Sequence, residues 1–290
     1  MADADKLRLG GMALRNGLLV HGPTHWAAAV RATDGSVRVA SGRKPRVSAF
    51  DAVPGARGVA RLYEAVAVLP LVKRGLPEAR LPFQDRRVIA GAVAAGLAGV
   101  GARAAARRVG RAGLGEAAAA GLSLAPSLLA LSGGELAAYH GVEHKAIAAY
   151  EQGEADAASW MTGGEQFKRS GGMSVLAASA KEHERCGSHL VVPMLAANVA
   201  GAALLRRVVE RPGPLAAGAV GLVSIAAAVE LFAWSERHPG TRAARAFRRP
   251  GFELQRAIGT REPDDRQLDV GRAALAEILR VEAAAAAPAG

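Results

Sequence analysis

Four long apolar runs limit what this chain can fold into. They cover residues 88–102, 117–132, 189–205 and 213–234. A helix needs about 20 apolar residues, with a range of about 17–25, to cross the hydrocarbon core of a bilayer. The third and fourth runs fit, and the shorter first two are rich in Ala and Gly, which suit close helix packing in membranes. The pattern predicts a mainly α-helical, polytopic membrane protein with about four spans, or two helical hairpins. Four buried helices of a soluble protein are the alternative.

The positive charges predict how these spans are oriented. Of the 37 Lys and Arg residues, 30 lie within residues 1–87, 134–188 and 235–290. Lys and Arg concentrate in the cytoplasmic loops of membrane proteins. We therefore expect a multi-pass protein of the bacterial inner membrane with both termini in the cytoplasm. Four arginines oppose this arrangement, since Arg103, Arg107, Arg108 and Arg111 would lie outside. They leave open a shallow re-entrant pair for the first two runs.

The apolar runs divide the chain into five regions. Residues 1–86 are expected to be cytosolic, with a small β-hairpin at 25–41, where Asp34-Gly35 separates two strand-like runs. The glycines before it are interpreted as turn residues, and a helix is predicted from residue 56 to residue 73. Residues 87–134 form the first membrane hairpin, 135–188 a cytosolic region rich in His, Glu and Cys, 189–234 the second hairpin, and 235–290 a cytosolic helical tail.

Composition excludes several other classes of protein. A single cysteine in 290 residues rules out a disulfide-stapled scaffold and a four-cysteine zinc module. The net charge of +11 could suggest nucleic acid, but aromatic residues make up only 4% and no nucleic-acid motif occurs. We expect the lipid bilayer as a partner and no nucleic acid, and a homo-oligomer stays an open alternative.

The first candidate site is a short histidine motif in the middle region. His140-Gly141-Val142-Glu143-His144 has the pattern H-x-x-E-H, which occurs in one class of zinc enzymes. Residues 135–151 have a helical pattern, and side chains four apart on a helix share one face. His140 and His144 can therefore hold one divalent metal ion. Glu143 can reach the rim of that site and act as a general base on a bound water.

A second cluster follows about forty residues later, where His183 and Cys186 are three positions apart. Zinc accepts both His nitrogen and Cys sulfur, and it is the metal that we favour. His140, His144 and Cys186 would form an open site of three protein ligands. Adding His183 would close the site with a fourth.

Five further residues are candidates for supporting roles. Glu230 lies inside the fourth apolar run, where a carboxylate is costly and is a functional candidate by default. It could ligate the metal, orient a ligating histidine or pair with an arginine. Arg185 and Arg261 are expected to support the site without binding the metal themselves. Asp264 and Asp265 either cap the helix predicted from about residue 267 or form a docking point that Arg261 ties to the middle region.

Several blocks of sequence carry a resemblance to a known family. The chain resembles the YqhQ family of bacterial membrane proteins, which has a domain of unknown function (number 1385) and is described as predicted metal-dependent enzymes. The resemblance spans most of the chain and implies the membrane topology and a His/Cys cluster that acts as a unit. It does not imply a substrate. The blocks that carry it are Gly10-Gly11, Gly22-Pro23 before Trp26, Ala138 to Lys145, Ala149-Tyr150-Glu151, His183 with Arg185-Cys186-Gly187, Pro250-Gly251, Leu254-Gln255 and Thr260 to Asp265.

These patterns lead to one favoured function and two alternatives. The favoured function is a metal-dependent, hydrolytic membrane enzyme of unknown substrate. The first alternative is a non-enzymatic membrane scaffold whose metal site is structural. The second is a small transporter or channel in which Glu230 and Glu116 line the path.

Overall fold

The N-terminal residues form a four-stranded antiparallel sheet. In the computed structural model, which describes residues 6–50, 53, 56–132, 134–152, 160–161, 166–167, 171–209 and 212–287, the strands pair in sequence order. They are β1 (Gly10–Leu14), β2 (Gly17–His21), β3 (His25–Arg31) and β4 (Val37–Arg43). The predicted hairpin is confirmed as β3 and β4. The interpretation of Gly10, Gly11 and Gly17 as turn residues is wrong, because all three take part in strand pairing.

Helices account for most of the remaining described residues. In chain order they are α1 (Ala56–Ala67), α2 (Leu69–Gly75), α3 (Arg86–Arg108), α4 (Ala112–Leu122), α5 (Ala125–Ser132), α6 (Glu135–Gln152), α7 (Gly172–Ala178), α8 (Val191–Val208), α9 (Pro214–Arg237), α10 (Arg242–Leu254) and α11 (Asp265–Ala286). A π-helical turn, Gln255–Gly259, extends α10. The helix predicted at 56–73 is present but divides into α1 and α2 around Val68, where Pro70 starts the second piece.

Both faces of the central strands β2 and β3 are buried, and their side chains alternate between two cores. Trp26, Ala28 and Val30 of β3 point to a core that includes Val72 of α2. Ala27 and Ala29 point to the opposite core, which contains residues of α6 and α11. The C-terminal helix α11 packs across β2, β3 and β4. Regions from both ends of the chain therefore share one core with the middle helix α6.

Four described helical segments are long and apolar enough to cross a membrane. They are Arg86–Arg108, Gly113–Ser132, Gly187–Val208 and Leu215–Arg237. Each coincides with one of the four predicted runs, which confirms the fold class. The second segment is divided, because α4 ends at Leu122 and α5 begins at Ala125. Helix α3 has 23 residues and is about 34 Å long at 1.5 Å per residue, which matches a spanning helix better than a shallow re-entrant one.

Three of the apolar helices, α3, α4 and α8, meet at a buried carboxylate. Glu116 of α4 is only 7% exposed and pairs with Arg103 of α3 at 2.9 Å and with Arg206 of α8. The end of α8 and the turn between α3 and α4 therefore lie at the same end of the bundle. Arg103, one of the four arginines that conflict with the charge pattern, is neutralised there by Glu116.

Helix α6 lies between the sheet and the C-terminal segment and is buried on nearly all sides from Leu136 to Tyr150. It packs against β1 and α11. A helix buried on all sides is typical of the centre of a protein. The residues of the H-x-x-E-H motif are therefore held by packing, and they lie close to the point where α8 begins and α9 ends.

Candidate metal centre

One turn of α6 brings the two motif histidines together. His140 and His144 lie four residues apart, and their ring centroids are 4.3 Å apart. His144 is only 2% exposed. The predicted shared face is therefore present, and it points into the protein.

Backbone carbonyl groups fix the orientation of both rings. His140 Nδ1 lies 2.7 Å from the carbonyl oxygen of Gly259, and His144 Nδ1 lies 2.7 Å from that of Lys181. A carbonyl oxygen only accepts, so both Nδ1 atoms carry the hydrogen, and both Nε2 atoms keep a free lone pair. This is the arrangement in which histidine side chains bind metals, because the hydrogen bond sets the tautomer and the ring direction.

The single cysteine completes a group of three potential ligands. Cys186 Sγ lies 3.4 Å from His140 Nε2, and one ligand atom from each of His140, His144 and Cys186 lies within 4.8 Å of the others. His144 Nε2 is buried and lacks a hydrogen-bond partner among the described residues. Leaving such an atom unpaired costs about 1–3 kcal/mol. Two nitrogens and one sulfur suit zinc, and three protein ligands leave a coordination position open. The donor set therefore fits a divalent metal.

The loop that carries Cys186 is held in place by a buried glutamine. Gln255 is fully buried; its Oε1 accepts from the backbone N–H of His183 at 2.8 Å. Its Nε2 donates to the hydroxyl of Ser188 at 2.8 Å and to the carbonyl oxygen of His183 at 3.2 Å. These bonds fix both ends of the segment that contains Cys186.

His183 lies beside this group, but its ring nitrogens have other contacts. Its Nε2 lies 3.2 Å from a carboxylate oxygen of Glu151, and its Nδ1 accepts from the backbone N–H of Arg185 at 3.2 Å. Arg185 also pairs with Glu151. The structure thus places His183 and Arg185 together around Glu151, with the His183 ring 5.7 Å from that of His144.

Glu143 is buried beside the three potential ligands. A Cβ atom at Gly11 of β1 would lie 2.7 Å from Cγ and Oε1 of Glu143, so only glycine leaves room for this carboxyl group. Burial raises the pKa of Glu143 to about 8, opposed by nearby His140 and reinforced by nearby Cys186. The glycine in β1 therefore has a specific function, which is to let the sheet approach the carboxyl group closely.

Burial also shifts the pKa values of the neighbouring groups. Desolvation lowers the pKa of His144 to about 2, with His140 adding to the effect. It lowers the pKa of His183 and raises the pKa of the Cys186 thiol. The site thus favours neutral imidazole, the form that binds metals.

The C-terminal motif, residues 260–265, lies against α6. The backbone N–H of Arg261 donates to the carbonyl oxygen of Ala137 at 2.9 Å. Glu262 pairs at 2.7 Å with Lys145, whose ammonium also donates to the carbonyl oxygens of Ala177 and Ser179 at 2.6 and 2.7 Å. The side chain of Lys145 is only 4% exposed, whereas that of Glu262 is 65% exposed. The segment from Arg261 to Glu262 therefore contacts the middle region through the Arg261 backbone and the Glu262 side chain.

Three other predicted residues lie away from the group of potential ligands. Asp264 caps α11, accepting from the backbone N–H of Gln267 at 2.8 Å, and Asp265 occupies the first turn of that helix. Both positions agree with the capping alternative. Glu230 is half-buried on α9 and has a polar interaction of its own.

Sequence reasoning missed three supporting residues, namely Gln255, Glu151 and Lys145. Gln255 and Glu151 lie in blocks that carry the family resemblance, but nothing in their spacing relates them to the cysteine loop. Their contacts with that loop join positions 72 and 32 residues apart. Only the folded chain brings them to the site.

The fold and the site define a helical membrane protein with a buried His/His/Cys group at one end of its apolar bundle. Residues 135–281, just over half of the chain, match the family described as "Protein of unknown function (DUF1385)". The chain therefore belongs to this family, which agrees with the resemblance to the YqhQ family. No curated protein and no solved structure matches the chain significantly.

Proposed function

We propose that this protein is a metal-dependent hydrolase of the bacterial inner membrane, with zinc as the favoured metal and both termini in the cytoplasm. The observation that carries the proposal is the geometry of His140, His144 and Cys186. Both Nδ1 atoms donate to carbonyl groups, His140 Nε2 lies 3.4 Å from Sγ, and one ligand atom of each residue lies within 4.8 Å of the others. The buried, unpartnered Nε2 of His144 supports a cation at this point.

The proposed ligands are His140 Nε2, His144 Nε2 and Cys186 Sγ. A divalent metal held there would act as a Lewis acid and lower the pKa of a coordinated water. Both ring nitrogens of His183 have other contacts, one with Glu151 and one with the backbone of Arg185. These contacts support a set of three protein ligands without His183. A set of three favours a reactive site over the closed site of a structural scaffold.

Glu143 has the position of a general acid–base group. Hydrolysis adds water across a bond: the water oxygen bonds to the substrate, one water proton is released, and the leaving group gains a proton. The Glu143 carboxylate, the form that a bound cation would favour, would take that proton and return it to the leaving group. Its packing against Gly11 keeps the carboxyl group in one position.

Metal content is the direct test of the proposed ligands. The protein is purified in detergent, and bound metal is measured by mass spectrometry for the wild type, His144→Ala and Glu143→Gln. His238→Ala is the matched control, because His238 is an exposed histidine whose Nδ1 bonds the carbonyl oxygen of Trp234. We expect close to one zinc ion per chain in all samples except His144→Ala. A folded wild-type protein without metal would overturn the proposal.

A second experiment separates an enzyme from a scaffold. A strain that lacks the protein is complemented with the wild type, Glu143→Gln or His144→Ala, and growth and membrane composition are compared. An enzyme requires Glu143, so Glu143→Gln should bind zinc and fail to complement. If Glu143→Gln complements fully and only His144→Ala fails, the metal is structural.

The contacts of Glu116 give little support to the transporter alternative. This carboxylate is already paired with Arg103 and Arg206 at the distal end of the bundle. Replacement of Glu230 by Gln gives a further test. A transporter would lose flux with unchanged metal content, whereas we expect Glu230→Gln to complement like the wild type.

A further inference from the structure

A large cavity connects the His/Glu/Cys group with the apolar helices. Its volume is about 820 Å³, within the usual range for small-molecule sites. One part is lined by polar groups, which include His140, Glu143 and Cys186. The other part is lined by apolar side chains of the candidate membrane segments. The cavity is therefore polar at the proposed reaction centre and hydrocarbon-like beyond it.

The apolar part lies between two candidate spans. Met194 belongs to α8, and Ile225 and Phe232 belong to α9; all three line the cavity. Because these helices are long and apolar enough to cross a membrane, this part of the cavity lies at the depth of the bilayer. A ligand that places a hydrocarbon chain there gains about 0.8 kcal/mol for each buried CH₂ group, relative to water.

Helix α1 borders the cavity beside α9. It packs against α9 so closely that a Cβ atom at Gly58 would lie 2.5 Å from Cγ1 of Val229. Leu62 of α1 lines the cavity and is also 47% exposed, and its neighbours Tyr63 and Val66 are 61% and 49% exposed. An exposed apolar helix face beside a candidate span is suited to the membrane interface. The cavity therefore borders the exposed apolar face of α1 at Leu62.

We propose that the substrate is a single-chain amphiphile from the bilayer, which enters beside α1. Its hydrocarbon chain lies between α8 and α9, and its polar, hydrolysable group lies at His140, Glu143 and Cys186. This inference rests on the proposed hydrolase function and adds the class of substrate. The cavity volume suits an amphiphile with one hydrocarbon chain and a small head group.

The polar side of the site has its own route to water. His183 and Arg185 line the large cavity and also a second, polar cavity of about 650 Å³. The second cavity is bordered by charged residues such as Glu184 and Glu236. A water-soluble leaving group could depart through this side, while the hydrocarbon product returns to the bilayer.

Photolabelling tests where the hydrocarbon chain of the amphiphile binds. The full-length protein is placed in phosphatidylcholine nanodiscs, because detergent would compete for the cavity, and is exposed to palmitate that carries a photoactivatable diazirine. We expect labelling of the segments around Met194 and Ile225. Met194→Trp fills the apolar part, and a steric block that costs about 1.4 kcal/mol lowers the occupancy about tenfold. Val223→Trp is the control, because Val223 lies on the same helix as Ile225 but is 68% exposed. It should label like the wild type.

The result that overturns the inference is equal labelling of the cavity segments in wild type and Met194→Trp, or labelling confined to exposed faces. If Met194→Trp does not fold, Ile225→Trp is used in its place. A second measurement uses the single cysteine. Palmitate should slow alkylation of Cys186 by a water-soluble maleimide at least about tenfold in the wild type and not in the filled variant; equal rates would contradict the inference.

The same samples distinguish failure of the inference from failure of the proposed function. Labelling is measured with and without added zinc, because the proposed site for the hydrocarbon chain does not require the metal. Zinc binding without cavity labelling overturns the amphiphile and leaves the hydrolase proposal standing. Cavity labelling that depends on Met194, in a protein that binds no metal, overturns the hydrolase proposal and supports the lipid site.

Discussion

Replacing Gln255 by Ala should loosen the loop that carries Cys186. The change removes four hydrogen-bond contacts from a fully buried position, two with His183, one with Ser188 and one with His189. A hydrogen bond contributes about 1 kcal/mol net, and a buried group left unpaired costs about 1–3 kcal/mol. We therefore expect a loss of about 3 kcal/mol in the free energy of unfolding. This corresponds to a melting temperature roughly 6–12 °C lower.

The same variant should weaken zinc binding about 10–100-fold, as loss of outer contacts does at other metal sites. Zinc titration of the protein purified in detergent checks this expectation. Thermal unfolding by circular dichroism and alkylation of Cys186, the only cysteine of the chain, check the stability and the loop. In the metal-free protein the thiol should react faster in Gln255→Ala than in the wild type. Gln267→Ala is the matched control, because it removes a surface capping contact with Asp264 and should cost about 1 kcal/mol or less.

The reasoning would be refuted by a Gln255→Ala protein that melts with the wild type and whose Cys186 reacts at the wild-type rate. That outcome would mean that the loop is held by its other contacts, such as those of His189 with Arg248 and His183. A lower melting temperature with unchanged zinc affinity would show that Gln255 stabilises the fold without positioning the ligand.

Three further predictions concern residues around the site. Lys145→Met should cost about 3 kcal/mol in the free energy of unfolding, because three acceptors lose their ammonium donor. Glu262→Gln, at the exposed end of the ion pair, should cost less than about 1 kcal/mol. Gly11→Ala should cost about 1–3 kcal/mol by overpacking against Glu143, and Glu143→Ala in the same chain should relieve most of that loss; an unrelieved loss would contradict the contact. Burial, and after it the charge of Lys44, lowers the pKa of His21 to about 4 in the folded chain. As the pH falls from about 6.5 to about 4, His21 therefore takes up a proton in the unfolded chain but not in the folded chain. Stability should fall across that window, by up to about 3 kcal/mol, and His21→Gln should show a smaller fall; an identical pH profile would contradict the assignment.

The membrane segments could be predicted from local sequence because their signal is local. Each needs only a run of apolar residues long enough to cross a bilayer, and all four predicted runs coincide with helices in the structure. The break in the second segment, at residues 123–124, also has a local cause, because Pro126 has no N–H to donate to the carbonyl group of Leu122, the last residue of α4. The β3–β4 hairpin was predictable for the same local reason, since Asp34-Gly35 favours a tight turn. The first two strands were not, because their glycines are weak strand formers that are required by contacts with distant residues such as Glu143.

The sequence by itself determined the components of the candidate site. Helical spacing places His140, Glu143 and His144 on neighbouring positions of α6, and the uniqueness of Cys186 makes it the only thiol available. Tertiary structure decided which of the candidates converge. His183 is only three residues from Cys186, yet its nitrogens contact Glu151 and the backbone of Arg185, while Cys186 approaches His140.

Tertiary structure also decided the state of the site. The carbonyl groups that orient the two histidines belong to Lys181 and Gly259, which are 37 and 119 residues away from their partners. The pKa of Glu143 is raised by burial beneath the sheet. Tautomer, desolvation and cavity shape depend on which segments lie against one another after folding. Sequence spacing specifies neighbours along one helix, but it cannot specify contacts between segments that only packing brings together.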